Sequence, residues 1–314
     1  MNKKKIVVIA SGGDCPAMNA CMEAIYLNAK TQGIEVYAGV GGFDGIIDAN
    51  FVKMTEANAT GISNQSGCVF KCGRSKRIME SAGFKSAVAN MKKNGFDALV
   101  VLGGNGSAIG TGRFKSAGVN TVFVPSTIDN DVEYTRHSLG FSSACESAVK
   151  NIDELKATMR TNNRDFIVHI MGRSCNELAL RVGTATFADI IDMNGNRHTP
   201  DQVAQIFAQN RKNGKQSNFM VMQELQGGDQ MFELERSFEL LKQIRHASGG
   251  QIIQLCPLGY LQRGAQPSCY DRFLGAIYGE AVVDCIQKSQ YGVCISAVND
   301  KIVLVEIPVA PIPS

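Results

Sequence analysis

Short uninterrupted apolar runs, each followed by a Gly-rich turn and then an amphipathic stretch, recur along the 314-residue chain. Residues 6–10 (IVVIA) give way to Ser11-Gly12-Gly13-Asp14, and Pro16 follows where the first turn of a helix tolerates it. Residues 19–30 carry Ala20, Ala24, Ile25, Leu27 and Ala29 at helical spacing. Residues 34–40 read as a second strand ending in Gly39-Val40-Gly41-Gly42. Residues 97–102 (DALVVL) are apolar without alternation, the pattern of a strand covered on both faces. That run enters Gly103-Gly104-Asn105-Gly106-Ser107. A short strand at 121–124 ends in Pro125-Ser126-Thr127-Ile128-Asp129-Asn130-Asp131.

The rhythm continues with helices over 144–159, 174–182, 202–209, 232–246 and 271–286, and strands over 166–171, 219–223, 252–256 and 301–306. In the 232–246 helix the stripe Phe232, Leu234, Phe238, Leu241 and Ile244 is the face expected to be buried. Strand–helix alternation throughout predicts an α/β fold with mostly parallel sheets. At roughly 100–200 residues per domain the length fits two domains, but no linker, repeat or low-complexity stretch marks a boundary.

Composition narrows the partners. With 32 Lys+Arg against 29 Asp+Glu the net charge is +3, spread along the chain, which excludes a polybasic nucleic-acid arm or an acidic tail. Hydrophobic residues at 44% and charged residues at 19% describe a globular protein rather than a disordered one. No apolar run approaches the ~20 residues of a membrane span. The run after Lys3-Lys4-Lys5 stops at Ala10, short of the roughly 7–15 residues of a signal-peptide core, so the expected location is the cytoplasm. The ten cysteines show no CxxC pair and the four histidines do not cluster. They read as reduced thiols used as small apolar residues, with no protein-held transition metal.

The chemistry lies in the turns. Ser11-Gly12-Gly13-Asp14 and Gly103-Gly104-Asn105-Gly106-Ser107 follow strands where open α/β sheets bind ligands, and both offer backbone N–H groups to phosphate at a helix start. Neither is a Walker A loop or a GxGxxG fingerprint, and either alone is equally a tight strand-to-helix turn. Thr127-Ile128-Asp129-Asn130-Asp131 sets two carboxylates in an i, i+2 relation beside a hydroxyl. One can accept a proton from an attacking hydroxyl while the other helps hold a metal; the bland alternative is an Asx-rich capping turn. Arg173 in Met171-Gly172-Arg173, Arg74 after Gly73 and Arg263 before Gly264 are Gly-flanked cations of a kind suited to phosphoryl oxygens, and each alone reads equally as a surface arginine.

In this order and spacing, SGGD, a Gly-Arg loop, GGxGS, PxTIDND, MGR, Glu224 after a strand and LGxxQRG make residues 6–274 resemble the bacterial-type ATP-dependent phosphofructokinases. The resemblance implies two Rossmann-like three-layer α/β/α domains, a nucleotide-binding one at 1–140 and 262–300 and a sugar-phosphate one at 141–261 and 301–314. It implies ATP and Mg²⁺, transfer to the 1-hydroxyl of fructose 6-phosphate in glycolysis, and a homo-oligomer, tetramer or dimer. Gly13, Arg74, Ser75 and the turn of Gly104, Asn105, Gly106 and Ser107 would face the nucleotide. Asp129 would be the base, supported by Thr127 and Asp131, and Arg173 would stabilise the moving phosphoryl group. Ile128, Met171, Gly172 and Glu224 would line the sugar. Arg164, from a neighbouring subunit, and Arg263 would bind the sugar's own phosphate.

The departures from the family pattern carry expectations of their own. Asn105 stands where the family has an Asp associated with Mg²⁺, which leaves it a weak ligand and Asp131 a further candidate. Gln254 and Tyr260 replace an Arg and a His of the sugar-phosphate pocket, and Glu23, Leu27 and Glu56 replace effector-site arginines. Gly106 and Ser126 are small where pyrophosphate-dependent relatives carry Asp and Lys, which favours ATP. Two alternatives remain at this stage: a kinase for another ketose phosphate, such as tagatose 6-phosphate or sedoheptulose 7-phosphate, and a catalytically weak regulatory paralogue that binds nucleotide or sugar phosphate.

Overall fold

The computed structural model describes residues 3–133, 135–224, 230–299 and 301–313. In chain order its elements are β1 (Lys5–Ser11), α1 (Met18–Thr31), β2 (Glu35–Gly39), α2 (Phe43–Ile47), β3 (Phe51–Lys53), α3 (Glu56–Ala59), β4 (Cys72–Gly73), α4 (Ser81–Lys93), β5 (Ala98–Gly103), α5 (Asn105–Ser116), β6 (Thr121–Pro125) and α6 (Phe141–Asn162). There follow β7 (Asp165–Ile170), α7 (Glu177–Ala185), β8 (Ile190–Asp192), α8 (Pro200–Lys212), β9 (Phe219–Gln223), α9 (Gln230–Ala247), β10 (Ile253–Pro257), α10 (Tyr260–Arg263), α11 (Cys269–Lys288), β11 (Val293–Val298) and β12 (Lys301–Glu306). The chain divides into two compact units, Met1–Ser143 with Arg263–Ser314, and Ala144–Gln262.

The first unit is built on a sheet of order β12-β11-β6-β5-β1-β2-β3, with β4 paired to the end of β1. Its inner strands run parallel, and antiparallel β3 and β12 close the two edges. Every residue of β5 is buried, as its unbroken apolar run predicts. Val7, Ile9, Leu99, Val101 and Phe123 pack one sheet face against α2, α4 and α5, where the rings of Phe43 and Phe114 stack at 5.8 Å. On the other face α1 and α11 lie against each other through small side chains. The second unit holds a wholly parallel sheet of order β10-β7-β9-β8. Ile167, Ile190, Met220 and Ile253 pack there against Val203 and Phe207 of α8 and Leu241 and Ile244 of α9. Both units are α/β with mostly parallel pairing, as the alternation predicts.

Several expectations are corrected. Residues 301–314, assigned from the resemblance to the sugar-phosphate domain, belong to the first unit, because β12 pairs along its whole length with β11. In α9 the buried stripe is Glu233, Ser237, Leu241 and Ile244, whereas Phe232 and Phe238 are exposed. Leu241 and Ile244 lie on the buried face as expected, and two polar residues take the places assigned to the phenylalanines. The pattern also passes over α4, α5, β8 and β11. All ten cysteines are free; burial pushes the Cys68 and Cys294 thiols up to about 12, so they are protonated at neutral pH. Among the described residues no helix is long and apolar enough to cross a membrane.

The close α1–α11 contact supplies a stability test. A Cβ at Gly279 would lie 2.5 Å from the Cβ of Ala24 and 2.8 Å from the Ile25 amide nitrogen, so no side chain fits without separating the helices. Gly279→Val is expected to destabilise the protein by at least the ~1–3 kcal/mol typical of overpacking, read as a lower urea midpoint with an unchanged slope. An unshifted midpoint would mean the two helices part freely.

Candidate active site

In the first unit the strand order reverses between β1, which leads to β2 and β3, and β5, which leads to β6. A crevice forms outside the carboxyl ends of strands at such a switch point. Register brings the turns together there: Ala10 pairs with Leu102, and Gly103 with Pro125, so Ser11–Asp14, Gly103–Ser107 and Pro125–Asp131 emerge side by side. Pairing of β4 with Ala10 and Ser11 adds the loop that carries Arg74, which is exposed. Ser75 is engaged elsewhere, donating to Asp44 at 2.6 Å and accepting from the Ile78 amide.

Gly104 caps α5, so Asn105 and Gly106 form its exposed first turn and carry amides that no helical carbonyl can reach. The positive end of the helix dipole favours an anion at that place. Ser107 is buried instead: its amide donates to the Gly104 carbonyl and its hydroxyl to the Ser11 carbonyl at 3.2 Å, so it fastens one turn to another. In the neighbouring turn the Thr127 hydroxyl accepts from the Asp129 amide at 3.2 Å. Asn130 takes a left-handed conformation, φ 54°, held by its side-chain bonds to the Arg136 carbonyl and the Ser138 amide. This fixes Asp129, only 6% exposed, and leaves Ile128 buried and Asp131 half-buried. Asn105 donates its side-chain amide to the Asp131 carbonyl at 3.1 Å, a bond the family's Asp could not make.

Arg263 has a partner within the first unit. It forms an ion pair with Asp14, and its Nε donates to the Asp14 carbonyl at 3.2 Å. Gly13 is required by that approach, since a Cβ there would stand 2.6 Å from the guanidinium. Asp14 was not singled out from the sequence, although its place in the SGGD turn could have drawn attention to it. Glu23 is likewise more than an absent arginine: its carboxylate accepts from the Gly61, Ile62 and Ser63 amides at 2.6–3.0 Å and anchors that loop to α1. Glu56 pairs with Lys30, and Leu27 is exposed.

In the second unit the carboxyl ends of β7 and β9 bring together Met171, Gly172, Arg173 and Glu224. The Glu224 carboxylate accepts from the Gly172 amide at 3.1 Å and the Arg173 amide at 2.9 Å. Burial pushes its pKa up, opposed by those two donors. The Met171 amide donates to Gln262, a buried residue of the LGxxQRG run whose role sequence reasoning missed. Gln254 and Arg164 are not brought to this end. Gln254 pairs with Phe166 near the start of the sheet, three residues or ~10 Å below Pro257, and Arg164 immediately precedes β7. Tyr260 is 60% exposed on α10.

Exposed helix-start amides at the carboxyl ends of a parallel sheet, with a buried carboxylate beside them, are an arrangement suited to a phosphorylated ligand. The family model for phosphofructokinase matches residues 5–286. The chain is 31% identical over 306 residues to an ATP-dependent 6-phosphofructokinase of Coxiella burnetii, covering 97% of this chain and 91% of that one. It is 32% identical over 301 residues to one of Lactobacillus delbrueckii subsp. bulgaricus, covering 95% and 91%. A solved phosphofructokinase of Saccharomyces cerevisiae superposes with a TM-score of 0.87 at 26% identity; the match covers 97% of this chain and about 45% of the yeast chain. The chain belongs to the phosphofructokinase family.

His169 on β7 gives a pH signature of the second unit. Burial, reinforced by the Arg197 charge, lowers its pKa to about 4 from the ordinary 6.5, so the folded protein holds it neutral. The unfolded chain takes up the proton first as pH falls. The contribution is therefore fully present above pH 6.5 and is lost progressively toward pH 4, up to about 3 kcal/mol. Urea midpoints measured from pH 7 to 4 should fall more steeply for the parent than for His169→Gln; parallel curves would exclude a buried neutral imidazole.

Proposed function

We propose that this protein is an ATP-dependent kinase that phosphorylates the 1-hydroxyl of fructose 6-phosphate to give fructose 1,6-bisphosphate. The observation that carries this reading is Asp129, a buried carboxylate held beside the helix-start turn of Asn105 and Gly106. The names of its relatives, ATP-dependent 6-phosphofructokinases, support the same reaction. In this mechanism the Gly104–Gly106 turn and Arg74 bind the nucleotide phosphates. Asp129 accepts the proton of the sugar hydroxyl as its oxygen bonds to the γ-phosphorus and the bond to the ADP oxygen breaks. Arg173 neutralises charge on the moving phosphoryl group, while Met171, Gly172 and Glu224 orient the sugar. Arg164 and Gln254, set at the far end of their sheet, serve a substrate only from a second copy, which fits a homodimer or homotetramer. Free thiols throughout fit a cytoplasmic protein.

A Mg²⁺ ion fits the first unit as a partner of bound nucleotide. Among the described residues no three acidic, His or Cys side chains form a metal cage, and the donors on offer are oxygens: Asp131, and Asn105 Oδ1, left over once its Nδ2 binds the Asp131 carbonyl. This suits a dication that keeps water and phosphate ligands. Bound there, Mg²⁺ supplies charge neutralisation to the phosphates. A second reading, a kinase for another ketose phosphate, is favoured by the neutral Gln254 and Tyr260 in place of cationic groups.

Turnover over a panel of ketose phosphates, read as ADP release with ATP and as phosphate release with pyrophosphate, tests the reading. Fructose 6-phosphate with ATP should give the highest kcat/KM; a better acceptor supports the second reading, and no turnover with any acceptor removes both. In the same assay Asp129→Ser should lower kcat by roughly 10²–10⁴-fold with nucleotide affinity nearly unchanged. Asn105→Asp should reduce the Mg²⁺ concentration for half-maximal rate by about tenfold, the equivalent of one charge-assisted contact. An unchanged titration would place the metal on Asp131 and phosphate alone.

A further inference from the structure

Beyond β8 the chain turns back through Asn194 and Gly195, with Met193 and Asn196 exchanging backbone hydrogen bonds, and so delivers Arg197 to the backbone at the end of β9. Arg197 Nη1 donates to the Asp192 carboxylate at 2.9 Å and to the Gln223 carbonyl at 2.9 Å. Its Nη2 donates to Asn194 Oδ1 at 2.8 Å and to the Glu224 carbonyl at 3.3 Å. Asp192 is 2% exposed, so the guanidinium is held by a buried charge partner in a fixed plane.

The consequences reach the residues that would meet the sugar phosphate. Because Nη2 occupies Asn194 Oδ1, the other end of that amide must point away, and Asn194 Nδ2 donates to the Arg173 carbonyl at 2.8 Å. Gln223 Nε2 donates to the same carbonyl at 2.9 Å and to the Cys175 carbonyl at 2.8 Å. Arg173 needs this support. Its φ of 46° lies in the left-handed region, which a residue with a Cβ rarely adopts. Its peptide is gripped at the carbonyl by Asn194 and Gln223 and at the amide by Glu224.

We propose that Arg197 is a positioning residue that, acting through Asn194 and the backbone of Gln223 and Glu224, sets Arg173 and Glu224 in the geometry that recognises a sugar phosphate. The functional half of this statement rests on the kinase reading; the geometric half does not. Arg197 acts through other residues. It selects the amide orientation of Asn194, and through it the strained turn that carries the phosphoryl-facing guanidinium.

Two variants and two readouts test it. Arg197→Met removes the fork, whereas Asn194→Asp keeps a partner for Arg197 and removes only the donor to Arg173. Amide hydrogen exchange at Gly172 and Arg173, measured on the full chain without ligand, should be at least tenfold faster in both variants. In the kinase assay KM for fructose 6-phosphate should rise about tenfold and kcat fall, with KM for ATP within twofold of the parent, and millimolar guanidinium should partly rescue Arg197→Met. Unchanged exchange in Asn194→Asp, or an equal rise of both KM values, overturns the proposal. If the parent turns over no ketose phosphate, the kinase reading and the functional half fall together, while faster exchange upholds the geometric half.

Discussion

The hydrogen-bonded registration of β1 with β5, and of β5 with β6, decides where the first unit can meet a phosphate. These strands are buried on both faces, so their pairing is specified by packing as well as by the ladder. A shift of two residues would preserve every inward side chain yet move one turn by ~6.6 Å relative to its neighbour. The Asn105 amide and the Asp129 carboxylate would then no longer lie side by side. Lesser contacts, such as Ser107 to Ser11 and Asn105 to Asp131, act within that frame and remove the remaining slack between adjacent turns.

The second unit reaches its geometry by a different route. Its sheet supplies only the approximate level of Met171–Arg173 and Glu224, and polar side chains supply the rest. A left-handed Arg173 is a local liability that persists because donors and acceptors on two neighbouring segments, Asn194 and Gln223–Glu224, over-determine it. Strain at that turn is thus balanced by a network in which Gln223 and Asp192 are buried and Asn194, Arg197 and Glu224 are half-buried.

Much of this was legible in the chain itself, for identifiable reasons. Periodicity located β1, β5 and β6 and their turns, because a fully covered parallel strand leaves a run of apolar residues that nothing else in the chain imitates. It failed for α5, whose first turn is Asn-Gly-Ser and which contains two further glycines, a composition that reads as loop. It misjudged α9, where Glu233 and Ser237 are buried and two phenylalanines are not, since a hydrophobic stripe reports burial only when no polar side chain finds partners inside. Arg263 was readable as a cation in a turn, but its counter-ion Asp14 is 249 residues away in sequence, and such a pairing leaves no local trace. The bracket of Asn194, Arg197 and Gln223 is of the same kind: ordinary residues at the end of β9 and in the turn beyond β8, given a role by where their backbones deliver them.

The union of Arg263 with Asp14 alters what the SGGD turn can offer an incoming anion. A free guanidinium would lend its whole electrostatic attraction to a ligand, whereas one with a resident counter-ion lends only the difference between the old partner and the new. Affinity at that turn should therefore be modest, and selectivity sharp, since only a ligand that outbids a fixed carboxylate in charge and geometry dislodges it. A dianionic phosphate meets that condition and a neutral sugar does not. The turn, with a glycine where a Cβ would stand 2.6 Å from the guanidinium, thus presents a cation already paired with a carboxylate.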